Sequence, residues 1–273
     1  MSYNIDPNRP SELFLKARQL AGNTLQMLFQ QERGKVDEAH DYKWIKAELT
    51  WPSFDHLTFS YRNQVFSVLV GVTGPGELNL TKREIDRCLE ACAANNLIPC
   101  LFLIDDQAMR PNSGGWNLLH LATRQPIIPE EVTSDTQEEM SDWELRNFCI
   151  QVVRNHIEEK GNAVESFCDV VGIDPQVWFQ DKEGNRSWVI VRHYAQITGN
   201  EKSSWIGFEQ SNSQLVPFDG YLAAVSIASS APALRGKDGE LIPLSQRFAG
   251  NAPRYRGDGF YVRFDGLQRI FVS

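Results

Sequence analysis

The chain has 273 residues, 42% of them hydrophobic and 23% charged, with a formal net charge of −8. That length allows one full hydrophobic core or two smaller ones, and the composition is that of a globular rather than a disordered chain. An acidic balance excludes a protein that coats nucleic acid through a bulk positive field, and no stretch approaches the roughly 18 apolar residues of a membrane span.

The first residues, Met1 to Pro7, hold no basic region followed by an apolar run, so no secretory signal is expected and the cytoplasm is the expected compartment. Leu13, Phe14, Ala17, Leu20, Ala21, Leu25, Leu28 and Phe29 recur at helical spacing and predict an amphipathic helix from about Ser11 to Gly34. Extended segments follow at 44–51, 57–61 and 65–72, the last two separated by Arg62-Asn63-Gln64, short enough for a hairpin. Gly74-Pro75-Gly76 breaks the strand pattern but lacks the Gly-Lys-Ser/Thr of a phosphate loop. Thr81 and Glu84 form a capping box for a helix that turns Ile85, Cys88, Leu89 and Cys92 inward and stops at Asn95-Asn96. The run 98–104 reads as a buried strand, parallel to an earlier one through this helical crossover.

Residues 107–140 read as a connection rich in Pro and Gly, with a short helix at 118–122. Glu130, Glu131, Asp135, Glu138, Glu139, Asp142 and Glu144 give seven acids with no base between them and read as a solvated face. Ser141 and Glu144 then form a second capping box, and the helix behind it buries Leu145, Phe148, Cys149, Val152, Val153 and Ile157, with Gly161 at its end. Strands are expected at 164–170, 176–179 and 188–194, with 181–185 as a hairpin turn. After a mixed segment, 198–218, come a strand at 221–227 and C-terminal strands through Phe260, Val262 and Phe264 and on to 272.

Helix, three extended segments, crossover and further strand thus occur twice. The stretch Phe54 to Phe59 leading into Phe66 to Val70 mirrors Ile173 to Phe179 leading into Trp188 to Arg192. The expected fold is α/β: two similar mixed-sheet units with flanking helices, related by duplication. Residues 1–125 form the first unit, 126–140 an acidic linker, and 141–273 the second unit with a C-terminal strand extension.

This element order, with an Asp at the start of one strand and a tight hairpin to the next, resembles the core of the PD-(D/E)XK, or restriction-endonuclease-like, superfamily. The resemblance covers roughly residues 11–104 and 141–230. It implies a nuclease-like core in which an Asp and an acid-x-Lys triplet hold Mg²⁺ and the Lys orients or deprotonates the attacking water. Asp174 matches the first acid in the second half and Asp55 in the first, which makes these two the candidate metal ligands. The triplets fall on Ile190-Val191-Arg192 and Val68-Leu69-Val70. Both lack the acid, and a hydrocarbon side chain cannot ligate a hard cation. Arg192 keeps a positive charge but cannot act as a base. Glu144 on the preceding helix and Glu183 in the hairpin are the available stand-ins, so a divergent Mg²⁺-dependent nuclease acting on DNA or RNA would use Asp174, Glu183, Glu144 and Arg192.

Other constellations are weaker. None of the five histidines has an i, i+4 partner, so His56 and His193 read as ordinary hydrogen-bonded side chains. Asp105-Asp106 at a strand end reads as a turn cap. The five cysteines are odd in number, contain no CxxC pair and sit in apolar surroundings, which predicts buried free thiols. The stretch 235–273 is locally basic, and Arg254-Tyr255-Arg256 joins two cations around an aromatic, a candidate binding group for a nucleic acid or another anionic partner. The sequence therefore predicts a non-catalytic binding or scaffolding protein on a degenerate nuclease-like fold. It is expected to need no cofactor, to have no membrane association, and to act through a protein partner.

Overall fold

A computed structural model describes residues 11–32, 42–46, 57–74, 79–112, 114–169, 172–193, 215, 217–236, 238–248 and 252–271. The chain divides into two compact units, Met1–Glu138 and Glu139–Ser273. Among the described residues no helix is long and apolar enough to cross a membrane.

In the first unit helix α1 (Glu12–Glu32) precedes strands β1 (Lys43–Lys46), β2 (Leu57–Tyr61) and β3 (Gln64–Thr73). The β2–β3 hairpin turns on two residues, with Arg62 at φ 49°. The capping box expected at Thr81 and Glu84 starts α2 (Lys82–Asn95), and Asn96 ends it in a left-handed C-cap. Strand β4 (Ile98–Asp105) then pairs parallel with β3, from Phe66 opposite Ile98 to Thr73 opposite Asp105. Ala17, Ala21, Leu25 and Phe29 of α1 pack on Phe66, Val68, Val70 and Val72, a single face of β3. Ser67 points to the other face, where its hydroxyl meets the buried thiols of Cys88 and Cys92 on α2.

Two short strands, β5 (Arg110–Pro111) and β6 (Leu118–His120), share the free edge of β4. The helix expected at 118–122 is therefore a strand. Pairing with Cys100–Phe102 and burial of Leu118 and Leu121 outweigh the local helical signal. The 126–138 part of the expected linker belongs to the first unit. A short helix α3 (Pro129–Val132) sits in it, and Asn63 in the hairpin turn accepts from the Ser134 amide and donates to the Ser134 hydroxyl, each at 3.0 Å. Glu130 accepts a hydrogen bond from the Tyr42 hydroxyl, inside the aromatic cluster of Phe29, Tyr61 and Trp116. Acidic patterning marked this segment as solvated, and these few specific bonds fasten it.

The second unit repeats the scheme in its described elements; most of the mixed segment expected at 198–218, between the two parallel strands, lies outside the described residues. Helix α4 (Asp142–Glu159) leads to β7 (Ala163–Phe167), β8 (Val177–Gln180) and β9 (Arg186–His193). Then come β10 (Asp219–Ser229), a short 3-10 turn at Leu244–Gln246, and β11 (Phe260–Phe264) and β12 (Gln268–Phe271), which share the free edge of β10. Both sheets run antiparallel, antiparallel, parallel, antiparallel, and each ends in a split edge strand. Even the register coincides. Leu57 opposite Val68 corresponds to Val177 opposite Val189, and each parallel ladder opens two residues earlier, at Phe66 with Ile98 and at Ser187 with Asp219. These ladders pair Phe66 with Ser187, one residue from the pairing with Trp188 expected from sequence. The triplet that corresponds to Ile190-Val191-Arg192 is Leu69-Val70-Gly71.

Cys149, Ile150, Val153 and Ile157 of α4 cover Val177, Val189, Val191, Val225 and Ile227. On the opposite face Trp188 is fully buried with Ile190 and Leu215, and its indole N–H donates to the Leu215 carbonyl at 3.3 Å. Trp188 lies beside Gly220 in the parallel ladder, and a Cβ there would stand 2.2 Å from the indole. Gly220→Ala is expected to destabilise the second unit by about 1–3 kcal/mol through overpacking. Denaturant unfolding followed by tryptophan fluorescence tests this, and an unchanged midpoint would show that the indole can move aside.

Candidate functional site

Of the acids that the resemblance picks out in the second unit, Asp174 and Glu144 are held by guanidinium groups, and Glu144 is buried rather than part of the expected solvated face. Asp174 lies just before β8, and the Arg192 side chain on β9 grips it with two parallel bonds, Nη1 to Oδ1 at 2.9 Å and Nη2 to Oδ2 at 2.6 Å. Gln176 completes the arrangement. Its amide NH₂ donates to Asp174 and to the Ile173 carbonyl, and its Oε1 accepts from the Val191 amide at 2.7 Å. Burial by itself would raise the Asp174 carboxyl; hydrogen bonds from Arg192 and Gln176, with the charges of Arg192 and Arg146, win and hold it below the usual carboxylate range.

Glu144 is engaged elsewhere. It occupies the third position of α4, where its carboxylate accepts from the Ser141 amide at 2.9 Å. The same carboxylate takes Arg256 Nε at 2.9 Å on Oε1 and Nη2 at 2.7 Å on Oε2. The side chains are 1% and 2% exposed, so this ion pair is dry. Glu183 stands exposed in the β8–β9 turn, where its amide donates to Asp181. Thus Asp174 meets Arg192, Glu144 meets Arg256, and Glu183 faces solvent. Among the described residues no group of three or more His, Cys, Asp or Glu is arranged to hold a metal ion. Asp55 and His56 lie outside the described residues.

Three arginines of the basic C-terminal stretch, Arg247, Arg254 and Arg256, are turned inward, whereas Arg235, Arg263 and Arg269 are exposed. Arg254 donates to the carbonyls of Ile227 and Ala252, and Arg247 to those of Ser229, Ala231 and Ile242. Arg235 reaches the Gly239 carbonyl, Arg269 pairs with Asp219, and Arg263 lies over the Phe248 ring at 4.7 Å. Half-buried Tyr255 forms a backbone bridge to Glu139. Sequence spacing makes Arg254-Tyr255-Arg256 an open cationic group. Both guanidinium groups are instead buried, where they donate to backbone carbonyls and to the Glu144 carboxylate.

Of two further groups beside this network, Arg146 was not singled out by the sequence, and His193 departs from the ordinary hydrogen-bonded side chain expected of it. Arg146 Nη1 on α4 and His193 Nε2 at the end of β9 are buried without a hydrogen-bond partner. Burial and the nearby Arg254 charge push His193 down to about 4, against a smaller opposing pull from Asp142. Burial also pushes the Cys149 thiol up to about 12, despite the charges of Arg254 and Arg146. All five cysteines are free, four of them buried. Asp105 caps its turn as expected, accepting from the amides of Gln107 and Ala108.

Fold and site together define a two-unit mixed α/β protein whose second unit carries a network of guanidinium–carboxylate pairs. Residues 143–270 match the family described as a domain of unknown function, DUF8840. No curated protein and no solved structure matches the chain significantly.

Removing one partner of a dry ion pair leaves the other charge buried and uncompensated. Arg256→Ala is expected to cost about 3–5 kcal/mol of stability. The double variant Arg256→Met with Glu144→Gln should recover part of that loss in the same denaturant titration, and full additivity would deny the coupling.

His193 gives a pH window. Its folded value lies below the ordinary 6.5, so between about 6.5 and 4 the unfolded chain binds the additional proton. Stability is then complete above pH 6.5 and falls as the pH drops toward 4, by up to about 1.4 kcal/mol per pH unit. The depressed Asp174 carboxyl adds its own loss at lower pH, as it is protonated. His193→Gln should flatten the slope in the upper window, which unfolding free energies measured at several pH values will reveal.

Proposed function

We propose that the chain is a non-catalytic binding or scaffolding protein, built on two duplicated units with a degenerate nuclease-like core. It works in the cytoplasm through a protein partner and uses no metal cofactor. The observation that carries this reading is the two-point grip of Arg192 on Asp174. A magnesium ion would have to displace a charge-assisted forked pair whose geometry suits a carboxylate better than any single ligand bond replaces. It would also approach against the charges of Arg192 and Arg146, with hydrocarbon at Ile190 and Val191 where oxygen donors are needed.

Strand-for-strand equivalence of the two sheets, down to the split edge and the register, supports duplication. Burial of Arg247, Arg254 and Arg256 withdraws three of the stretch's cations from phosphate contact and so favours a protein partner over a nucleic acid, although Arg235, Arg263 and Arg269 stay exposed.

Titration calorimetry with MgCl₂ and MnCl₂, paired with cleavage assays on labelled DNA and RNA, tests the reading. Expected are no saturable metal binding and no metal-dependent cleavage. Cleavage that depends on Mg²⁺ or Mn²⁺ and disappears in Asp174→Ala would reject it.

A further inference from the structure

The split edge strand is where the two units differ most. In the first unit this edge is closed. Pro111 in β5 has no amide hydrogen to offer, and the chain folds back along β6, with a bridge from Leu119 to Pro126. His120 donates to the Gln125 carbonyl at 2.7 Å and the Ile127 amide to the Leu118 carbonyl at 2.8 Å. The outward groups of that strand are thereby used.

In the second unit β11 has the corresponding place and none of these protections. Its sequence, Phe260-Tyr261-Val262-Arg263-Phe264, contains no Pro and no Lys, and apart from Arg263 its residues are the aromatic and β-branched ones that favour pairing. One side pairs with β10 from Val225 to Ser229, and no other described strand pairs with its outer side. Tyr261 is 49% and Val262 44% exposed, although they project to opposite faces of the sheet. Phe260 and Phe264 line the rim of the core beneath α4, packed edge-on against Phe148 and His156. The strand thus offers unpaired backbone and a continuation of the core at once.

The strand is also self-complementary. Two copies laid antiparallel about Val262 set Phe260 against Phe264, Tyr261 against Arg263, and Val262 against itself. Aromatic faces aromatic, a cation faces an aromatic ring, and no like charges stand directly opposed. We propose that β11 is a dimerisation edge, joining a second copy of this chain by isologous antiparallel pairing so that the two six-stranded sheets become one. This goes beyond the binding role proposed above and does not depend on the state of Asp174.

Sedimentation and light scattering of the full chain over about 1–100 μM test it, a range in which interfaces of modest quality dissociate measurably. The expected result is a concentration-dependent shift from the 31.0 kDa monomer to twice that mass. Val262→Lys, which opposes two cations on the symmetry axis, should abolish the dimer while circular dichroism stays unchanged, because the residue is exposed. Tyr261→Glu sets a carboxylate against Arg263 of the other copy and should preserve or tighten it, whereas Tyr261→Arg should weaken it. Val262→Cys in a Cys168→Ser background should cross-link two copies under mild oxidation, since directly opposed positions in an antiparallel pair lie within disulfide reach. A monomer throughout the range overturns the proposal and leaves the edge to an extended strand of some other protein. A dimer indifferent to Val262→Lys, or one that Val262→Cys fails to cross-link, overturns it as well.

Discussion

The second unit is closed by the pairing of Arg256 with Glu144. Glu144 already has a local task, since its carboxylate accepts the Ser141 amide that would otherwise remain bare at the start of α4. A carboxylate buried to that degree is costly unless it is paired and hydrogen-bonded. Arg256 supplies the compensating charge from 112 residues further along, and so fastens the segment before β11 to the first turn of α4. The neighbouring contacts run the same way. Met140 donates to the Arg254 carbonyl, Glu139 bridges to Tyr255, and Arg254 reaches the Ile227 carbonyl in β10. One ion pair thereby aligns the helix start, the central parallel strand and the C-terminal edge.

Asp174 and Arg192 apply the same chemistry at the end of the β8–β9 ladder away from the hairpin turn. The two pairs divide the acids that a metal site would have drawn together. Each carboxylate satisfies its charge against a fork of nitrogens rather than sharing it with a second carboxylate around a cation. What the network accomplishes is orientation: Gln176 holds Asp174 on one side and the Val191 amide on the other, which fixes the loop ahead of β8 to the strand behind it.

Much of the fold was legible because its signals are local. Both capping boxes, the Arg62-Asn63 turn, the helical faces of α1 and α4, and the Asn96 stop each depend on residues within a few positions of one another. The repeat of element order was legible for the same reason. Its register was not, because a one-residue offset in β3 leaves the hydrophobic run 65–72 equally hydrophobic, and only the ladder fixes which side chain meets α1. The candidate site was legible as a set of residues and illegible as pairs. Nothing near Glu144 announces Arg256, and although Glu130, Glu131, Asp135 and Glu139 are exposed as the acidic run suggests, nothing local announces that Asn63 holds Ser134.

The comparison of the two units separates what the topology requires from what it merely permits. At the ladder position of Arg192 the first unit has Gly71, which has no side chain with which to grip an acid, and yet β3 and β4 pair over eight residues there. Buried Val68, Val70 and Val72 in one unit and Val189 and Val191 in the other suffice to seat a helix on the sheet. The charged network of the second unit is therefore additional to its fold. Buried ion pairs are weak sources of net stability and stronger sources of specific geometry. In the second unit the buried Arg256–Glu144 pair and the half-buried Arg192–Asp174 pair fix local geometry in this way, and the family match lies in the same unit.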